Sequence, residues 1–273
     1  MMDESDATKT QARGSETAEA SETSPGRRIL ELRDEIARLP GQRVVDAMRS
    51  LDDPVRWILW PNGVGLRNHL STFPFDAGGR LLFDAFDRDR MQNYLGVTVC
   101  LTHNLVAAVG TVIDHTRRTL NANWPEKTNY IQRVFDDARA RFDKDGQLQI
   151  IRDLRNFFLH RSIPGLTATM AEGDRERTAV HLSTATLMGW DGWRPEARQI
   201  LKTAGDGIAL APLVDHYLDQ AINLHRAVIA AIEEEERAVL GEYRGLAEEH
   251  DAIVRRLQDA MKSDQPPQAP PPS

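Results

Sequence analysis

From residue 28 onward, apolar positions recur every three or four residues, the period of a helix that buries one side. Ile29, Leu32, Ile36 and Leu39 mark a first helix over residues 28–39, stopped by Pro40-Gly41. A second short helix over 42–51 ends at Asp52-Asp53-Pro54. Residues 61–79 carry Pro, Gly and Asn and read as a long loop, with Trp57 and Trp60 packing an N-terminal layer onto the main body. Residues 80–121 then form one long helix or two in series. No charged residue interrupts it from Met91 to Ile113, a length able to span a bilayer. Gln92, Asn93, Thr98, Thr102, His103, Asn104 and Thr111 argue against that reading, because amides and imidazole are costly in hydrocarbon. The pattern predicts a central helix buried on most sides.

Two further helices, over 124–143 and 145–161, flank Lys144-Asp145-Gly146. After Pro164-Gly165 the period changes. Residues 166–171 and 178–188 are rich in Thr, Val and Leu around the polar turn 172–177, which predicts a β-hairpin at about 166–188. Residues 189–206 read as loop plus a short helix, and 210–262 as one long helix whose apolar stripe fades beyond the four glutamates at 233–236. Its distal end, 241–262, reads as a solvated arm or as a surface for a second subunit. The tails differ from the rest. Residues 1–26 lack large apolar side chains and read as disordered, as does the Pro-rich segment 263–273. The expected fold is therefore mainly all-α: an N-terminal helical layer and loop over 27–79, then a helical bundle over 80–240 with an inserted β-hairpin and a long C-terminal helix.

The 273 residues carry a net charge of -7 and a single cysteine, Cys100. One cysteine excludes a disulfide framework and a Cys-based zinc site. No apolar leader precedes residue 27, so a cytoplasmic location is expected. A net acidic chain argues weakly against non-specific nucleic-acid binding, yet the acidity is uneven. Residues 1–26 hold six acids and two bases and 233–262 hold nine acids and five bases, so with Asp264 the segment 27–232 carries +2. Twenty-nine of the 34 basic residues are Arg, whose planar fork of donors suits phosphate.

The informative segment is Leu154-Arg155-Asn156-Phe157-Phe158-Leu159-His160. At about 100° per residue, Asn156 and His160 share a helix face, whereas Arg155 points about 140° away from His160. Ile150, Ile151, Leu154, Phe157 and Phe158 form the opposite, core-facing side. His titrates near neutral pH and serves as general base or acid. Arg clamps the non-bridging oxygens of a phosphate, and Asn can orient either group. The same residues suit an ordinary polar helix face, with Arg155 paired to Asp153 and His160 capping the helix end.

The run LRNFFLH resembles the signature of the HEPN superfamily of helical-bundle proteins: Arg, a polar residue, three residues, then His. The preceding helix, YLGVTVCLTHNLVAAVGTVIDHTRR, is similar to the partner helix of such bundles. The resemblance implies a metal-independent endoribonuclease with Arg155, His160 and Asn156 as catalytic residues. It also implies a homodimer that sets two motifs across one cleft, and an RNA substrate. The setting it implies is a toxin or antiviral defence effector, with an antitoxin or regulatory protein as a further partner. No cofactor or metal is implied. Arg152, Arg161, His103 and Asn104 are weaker candidates for RNA contact. The alternative is a non-catalytic binding or assembly module on the same bundle.

Overall fold

The computed structural model describes residues 24–84, 87–126, 129–171 and 174–263. The remaining residues of the two expected disordered tails, 1–23 and 264–273, lie outside them. The described residues fall into two units: a body of residues 39–244, and a smaller unit of 24–38 with 245–263. In the smaller unit, helix α1 (Pro25–Arg38) buries Leu32, and its Arg28 donates to Glu249 at 2.8 Å.

The body is mainly helical with an inserted antiparallel hairpin, the expected fold class. It contains α2 (Pro40–Pro54), a π-helical turn (Val55–Leu59), α3 (Trp60–Ser71), α4 (Arg88–Asn123), α5 (Tyr130–Lys144) and α6 (Gly146–His160). The hairpin follows as β1 (Leu166–Ala171) and β2 (Asp174–Ser183). After it come α7 (Thr184–Met188), α8 (Pro195–Thr203), β3 (Gly207–Ala209), α9 (Leu210–Glu235) and the first turns of α10 (Arg237–Ser263), whose residues beyond 244 belong to the smaller unit. The strands lie in the order β1-β2-β3, both pairings antiparallel, with Leu166 opposite Leu182 and Leu182 opposite Ile208.

Side chains decide where most of these helices begin. Asp87, Asn129 and Asp145 each accept a backbone N–H in the first turn of α4, α5 and α6, filling donors that the helix itself leaves unpaired. Proline opens α2, α3 and α8, where a missing N–H costs nothing. Two apolar clusters hold the body. The larger joins α3, α4, α6, α8 and α9 around Leu66, Leu105, Ile151, Leu154, Phe157 and Tyr217. The second joins α2, α4, α5 and α9 around Leu51, Leu120, Phe135 and Ile232.

Several expectations are corrected. The predicted loop at 61–79 is helical as far as Ser71, because Leu66 and Leu70, one turn apart, are drawn into the larger core despite the weak helix formers around them. Trp57 and Trp60 do not pack the N-terminal layer. They are 65% and 44% exposed, with the Arg56 guanidinium 4.8 Å from the Trp57 ring centre. That layer packs through Val44, Ala47 and Leu51 instead. The long helix starts at Arg88 rather than 80. It is not buried on most sides. Its most apolar window has mean hydropathy 1.6 and only 33% of it is buried, since α2, α3 and α6 cover a single flank. α4 is thus long and apolar enough to cross a membrane, by length and composition alone.

The second strand of the hairpin stops at Ser183, and 184–188 is helix α7. There Ser183 caps the new helix and the Thr184 hydroxyl donates to the Gly205 carbonyl, which turns the chain out of the sheet. The long C-terminal helix is divided at Glu236. Four consecutive carboxylates crowd the negative end of the α9 dipole. Glu236 takes the Trp124 indole N–H at 2.7 Å, and Glu234 takes the Tyr130 hydroxyl at 3.0 Å.

Asp145 fastens α6 to α9. One carboxylate oxygen accepts the amides of Gln147 (2.9 Å) and Leu148 (3.2 Å), and the other lies 2.7 Å from His216 Nε2. Burial works to raise its pKa, but His216 and the two amides outweigh it and hold the group below the usual value of 3.8. A carboxylate depressed on folding stabilises above its unfolded pKa and loses that contribution as pH falls through the folded one. Asp145→Ala is therefore expected to lower the unfolding free energy by about 1–2 kcal/mol at neutral pH. The difference from wild type should vanish in strong acid, as measured by urea denaturation across pH.

Candidate functional site

Helix α6 sorts its residues by side. Ile150, Ile151, Leu154 and Phe157 are fully buried, while Arg155, Asn156, Leu159 and His160 face solvent. The buried side is clamped by the loop between α7 and α8. The Phe157 ring lies 5.9 Å from Trp193, stacked, and 5.8 Å from Trp190, edge-on. The Trp193 indole N–H donates to the Leu187 carbonyl at 2.7 Å. Trp193 is buried under the loop and Trp190 is half-buried beside it.

α8 approaches the start of α6 very closely. A Cβ on Gly146 would lie 2.8 Å from the Glu196 carbonyl oxygen, so only glycine fits there. This contact delivers Arg194, the residue before α8, to the motif helix. Its backbone N–H donates to Asp153 Oδ2 at 3.0 Å, and its guanidinium bonds Gln149 and lies 3.6 Å from Asp153 Oδ1. Burial raises the Asp153 pKa, against the pull of the Arg194 amide and of the Arg194 and Arg152 charges. Arg152, itself half-buried, bonds Asp143. Its pKa is lowered, first by burial and then by the positive charge of Arg194.

The pairing of Arg155 with Asp153 does not form: residues two apart on a helix do not face each other, and the buried Asp153 meets Arg194 instead. Arg155 has no ion pair or hydrogen bond among the described residues, and its guanidinium lies along α4 where Gly110 leaves space. Asn156 likewise has no hydrogen-bond partner among the described residues. His160 makes no cap: the end of α6 is closed by the Arg161 backbone N–H on the Phe157 carbonyl at 2.9 Å. Arg161 is exposed beyond that end.

Arg155 and Asn156 share a cavity of about 140 Å³ with Arg152, Arg194, Asp114 and Gly110, and His160 does not line it. Within one chain, Arg155 and His160 thus act on different sides of α6, as the helical angle requires. His103 is exposed and meets Phe158 edge-on at 5.2 Å, which places it next to α6. Asn104 is exposed beside it. His115 reaches Ser50 at 2.9 Å and His225 reaches Asp52 at 2.9 Å, so neither joins the motif. No group of three or more His, Cys, Asp or Glu among the described residues is arranged to hold a metal ion.

Next to the motif, the open flank of α4 presents Val97, Cys100, His103, Asn104, Ala107 and Thr111 at intervals of one helical turn. None carries a formal charge at neutral pH, and Val97 is 48% exposed. Leu159 on α6 is 61% exposed. Arg194 and Gly110 were not singled out in the sequence. Arg194 had no local signal, because tertiary packing alone brings it to α6; Gly110 was visible only as a glycine inside an apolar helix. Comparisons of the chain with known protein families, curated proteins and solved structures find no match.

The two sides of α6 are separable by substitution. Phe157→Ala opens a cavity under the motif and is expected to cost about 3–5 kcal/mol. Leu159→Ser, on the open side, is expected to change stability by less than about 0.5 kcal/mol. Denaturant melts of both proteins check the contrast.

Proposed function

We propose that this protein is a metal-independent endoribonuclease of HEPN type that works as a homodimer, with Arg155 and His160 as catalytic residues and Asn156 beside them. The observation that supports this reading is that all three are exposed on α6 and that none has a hydrogen-bond or ion-pair partner among the described residues. Isologous pairing of the α4 flank would set two copies of α6 across one cleft. That pairing supplies the convergence of Arg and His that a single helix denies.

The chemistry follows from the residue types. A neutral imidazole takes the proton of a ribose 2′-hydroxyl as its oxygen attacks the adjacent phosphorus. The bond to the 5′-oxygen breaks, and a protonated imidazole returns a proton to that oxygen. Arg155 stabilises the charge growing on the non-bridging oxygens. The products are a 2′,3′-cyclic phosphate and a 5′-hydroxyl, with no net change in protons. The biological setting that fits is a toxin or antiviral defence effector in the cytoplasm, held in check by an antitoxin or regulatory protein.

A second reading, a binding or assembly module without catalysis, is favoured by one observation: His160 is absent from the cavity that Arg155 and Asn156 line. Cleavage decides between them. Single-stranded RNA incubated with the protein in EDTA should yield cyclic phosphate ends. His160→Ala and Arg155→Ala should each slow this by about 100-fold or more. Cleavage at the wild-type rate in both variants would remove the proposed site, and no cleavage by the wild type would leave the binding module.

The dimer is tested separately. Val97→Arg, which places a charge in the uncharged α4 flank, should convert a dimer to a monomer in sedimentation and reduce cleavage with it.

A further inference from the structure

We propose that the cavity between α4 and α6 is a phosphate-binding site, built from Arg152, Arg155, Asn156 and Arg194 over the bare backbone of Gly110. Its ligand is a phosphoryl group of a nucleic-acid chain or of a mononucleotide. As a site on RNA it extends the nuclease reading, but two of its arginines, Arg152 and Arg194, lie outside the Arg155–His160 motif and its occupancy can be measured without cleavage.

Charge and geometry both point to an anion. Three guanidinium groups line one cavity of about 140 Å³, against a single carboxylate, Asp114. Asp114 is already engaged, 3.2 Å from Arg117. The carboxylates that hold Arg152 and Arg194, Asp143 and Asp153, are not among the lining residues. Arg155 has no counter-charge at all among the described residues. Asp143 and Asp153 offset Arg152 and Arg194 from outside the cavity, so the charge left over inside it is that of Arg155, which an oxyanion offsets directly.

The donor set favours phosphate over a carboxylate ligand. Guanidinium groups offer parallel N–H pairs that match two oxygens of one phosphate. The Asn156 amide adds two neutral donors. Such a set contacts several oxygens of a tetrahedral group, more than a planar carboxylate presents. Gly110 makes the space. A Cβ there would lie 3.1 Å from Arg155 Nε and 3.2 Å from its Cζ, so any side chain pushes the guanidinium away from its seat on α4. Arg194 is positioned by the close approach of α8 to Gly146, so the site forms only in the folded body.

The test is binding by the full chain, read by calorimetry with inorganic phosphate and AMP, and by fluorescence anisotropy with a labelled 2′-O-methyl RNA oligonucleotide that cannot be cleaved. Wild type should bind at least one of the three in a salt-sensitive manner. Binding of AMP as tight as that of the oligonucleotide assigns a mononucleotide; much tighter oligonucleotide binding assigns an RNA chain. Arg155→Gln and Arg194→Gln should each weaken binding by about tenfold or more, and Gly110→Leu should abolish it by filling the cavity. Arg155 has no ion-pair or hydrogen-bond partner among the described residues, so Arg155→Gln is expected to fold even if removing Arg194 from Asp153 perturbs the body. The proposal fails if wild type binds none of the probes, or if Arg155→Gln binds as tightly as wild type. Cleavage by the alanine variants is read in a separate assay, so the nuclease reading can fail while this site stands, and the reverse.

Discussion

Asp153 is a carboxylate with 3% of its side chain exposed, and the region around the motif is organised by what it costs to keep it there. A buried carboxylate must be satisfied by donors, and the Arg194 amide and guanidinium meet that need from outside the helix. To bring them, α8 closes on the first turn of α6 so tightly that position 146 has no room for a side chain. The same closure seats Trp193 against Phe157. Asp153 thus ties the buried side of α6 to the start of α8, opposite the side on which Arg155 and Asn156 face solvent. Arg155, two residues on and on the opposite side of α6, takes no part in that network.

The sequence made some of this legible and hid the rest, for identifiable reasons. Helical spacing in residues 145–161 separated the buried from the open side of α6 correctly, because Ile151, Leu154 and Phe157 obey one period. The hairpin was visible in its alternating Thr and Val residues, but not where it ended. Ser183 and Thr184 leave the sheet through side-chain bonds to residues that periodicity cannot see. Residues 61–71 looked like a loop because Pro, Gly and Asn are poor helix formers in isolation, and the core that overrules them lies on α4 and α9. The exposure of α4 was misread for a related reason. An uncharged run reports that water is avoided along a helix, not whether the chain itself or a second molecule covers it.

The candidate site divides in the same way. Arg155, Asn156 and His160 are contiguous, so their shared helix was enough to find them. Arg194 lies 39 positions beyond Arg155 in an unremarkable loop, and nothing local announces it. The nuclease proposal therefore rests on a short motif and an open helix face, whereas the anion site rests on residues that only folding assembles. The acidity of the chain bears on neither. It is concentrated at the ends, and the segment that holds both sites is slightly basic.

α4 carries a further consequence. Its 36 residues extend about 54 Å, and it contributes Leu105, Val106 and Val109 to one apolar cluster and Leu120 to the other. α9 is likewise shared, through Leu213 and Tyr217 at one end and Val228 and Ile232 at the other. Neither cluster can melt without withdrawing two beams from its neighbour. The body of residues 39–244 is accordingly expected to unfold as one cooperative unit despite having two cores, so that damage near Trp124 would reach Arg155 through the shared helices.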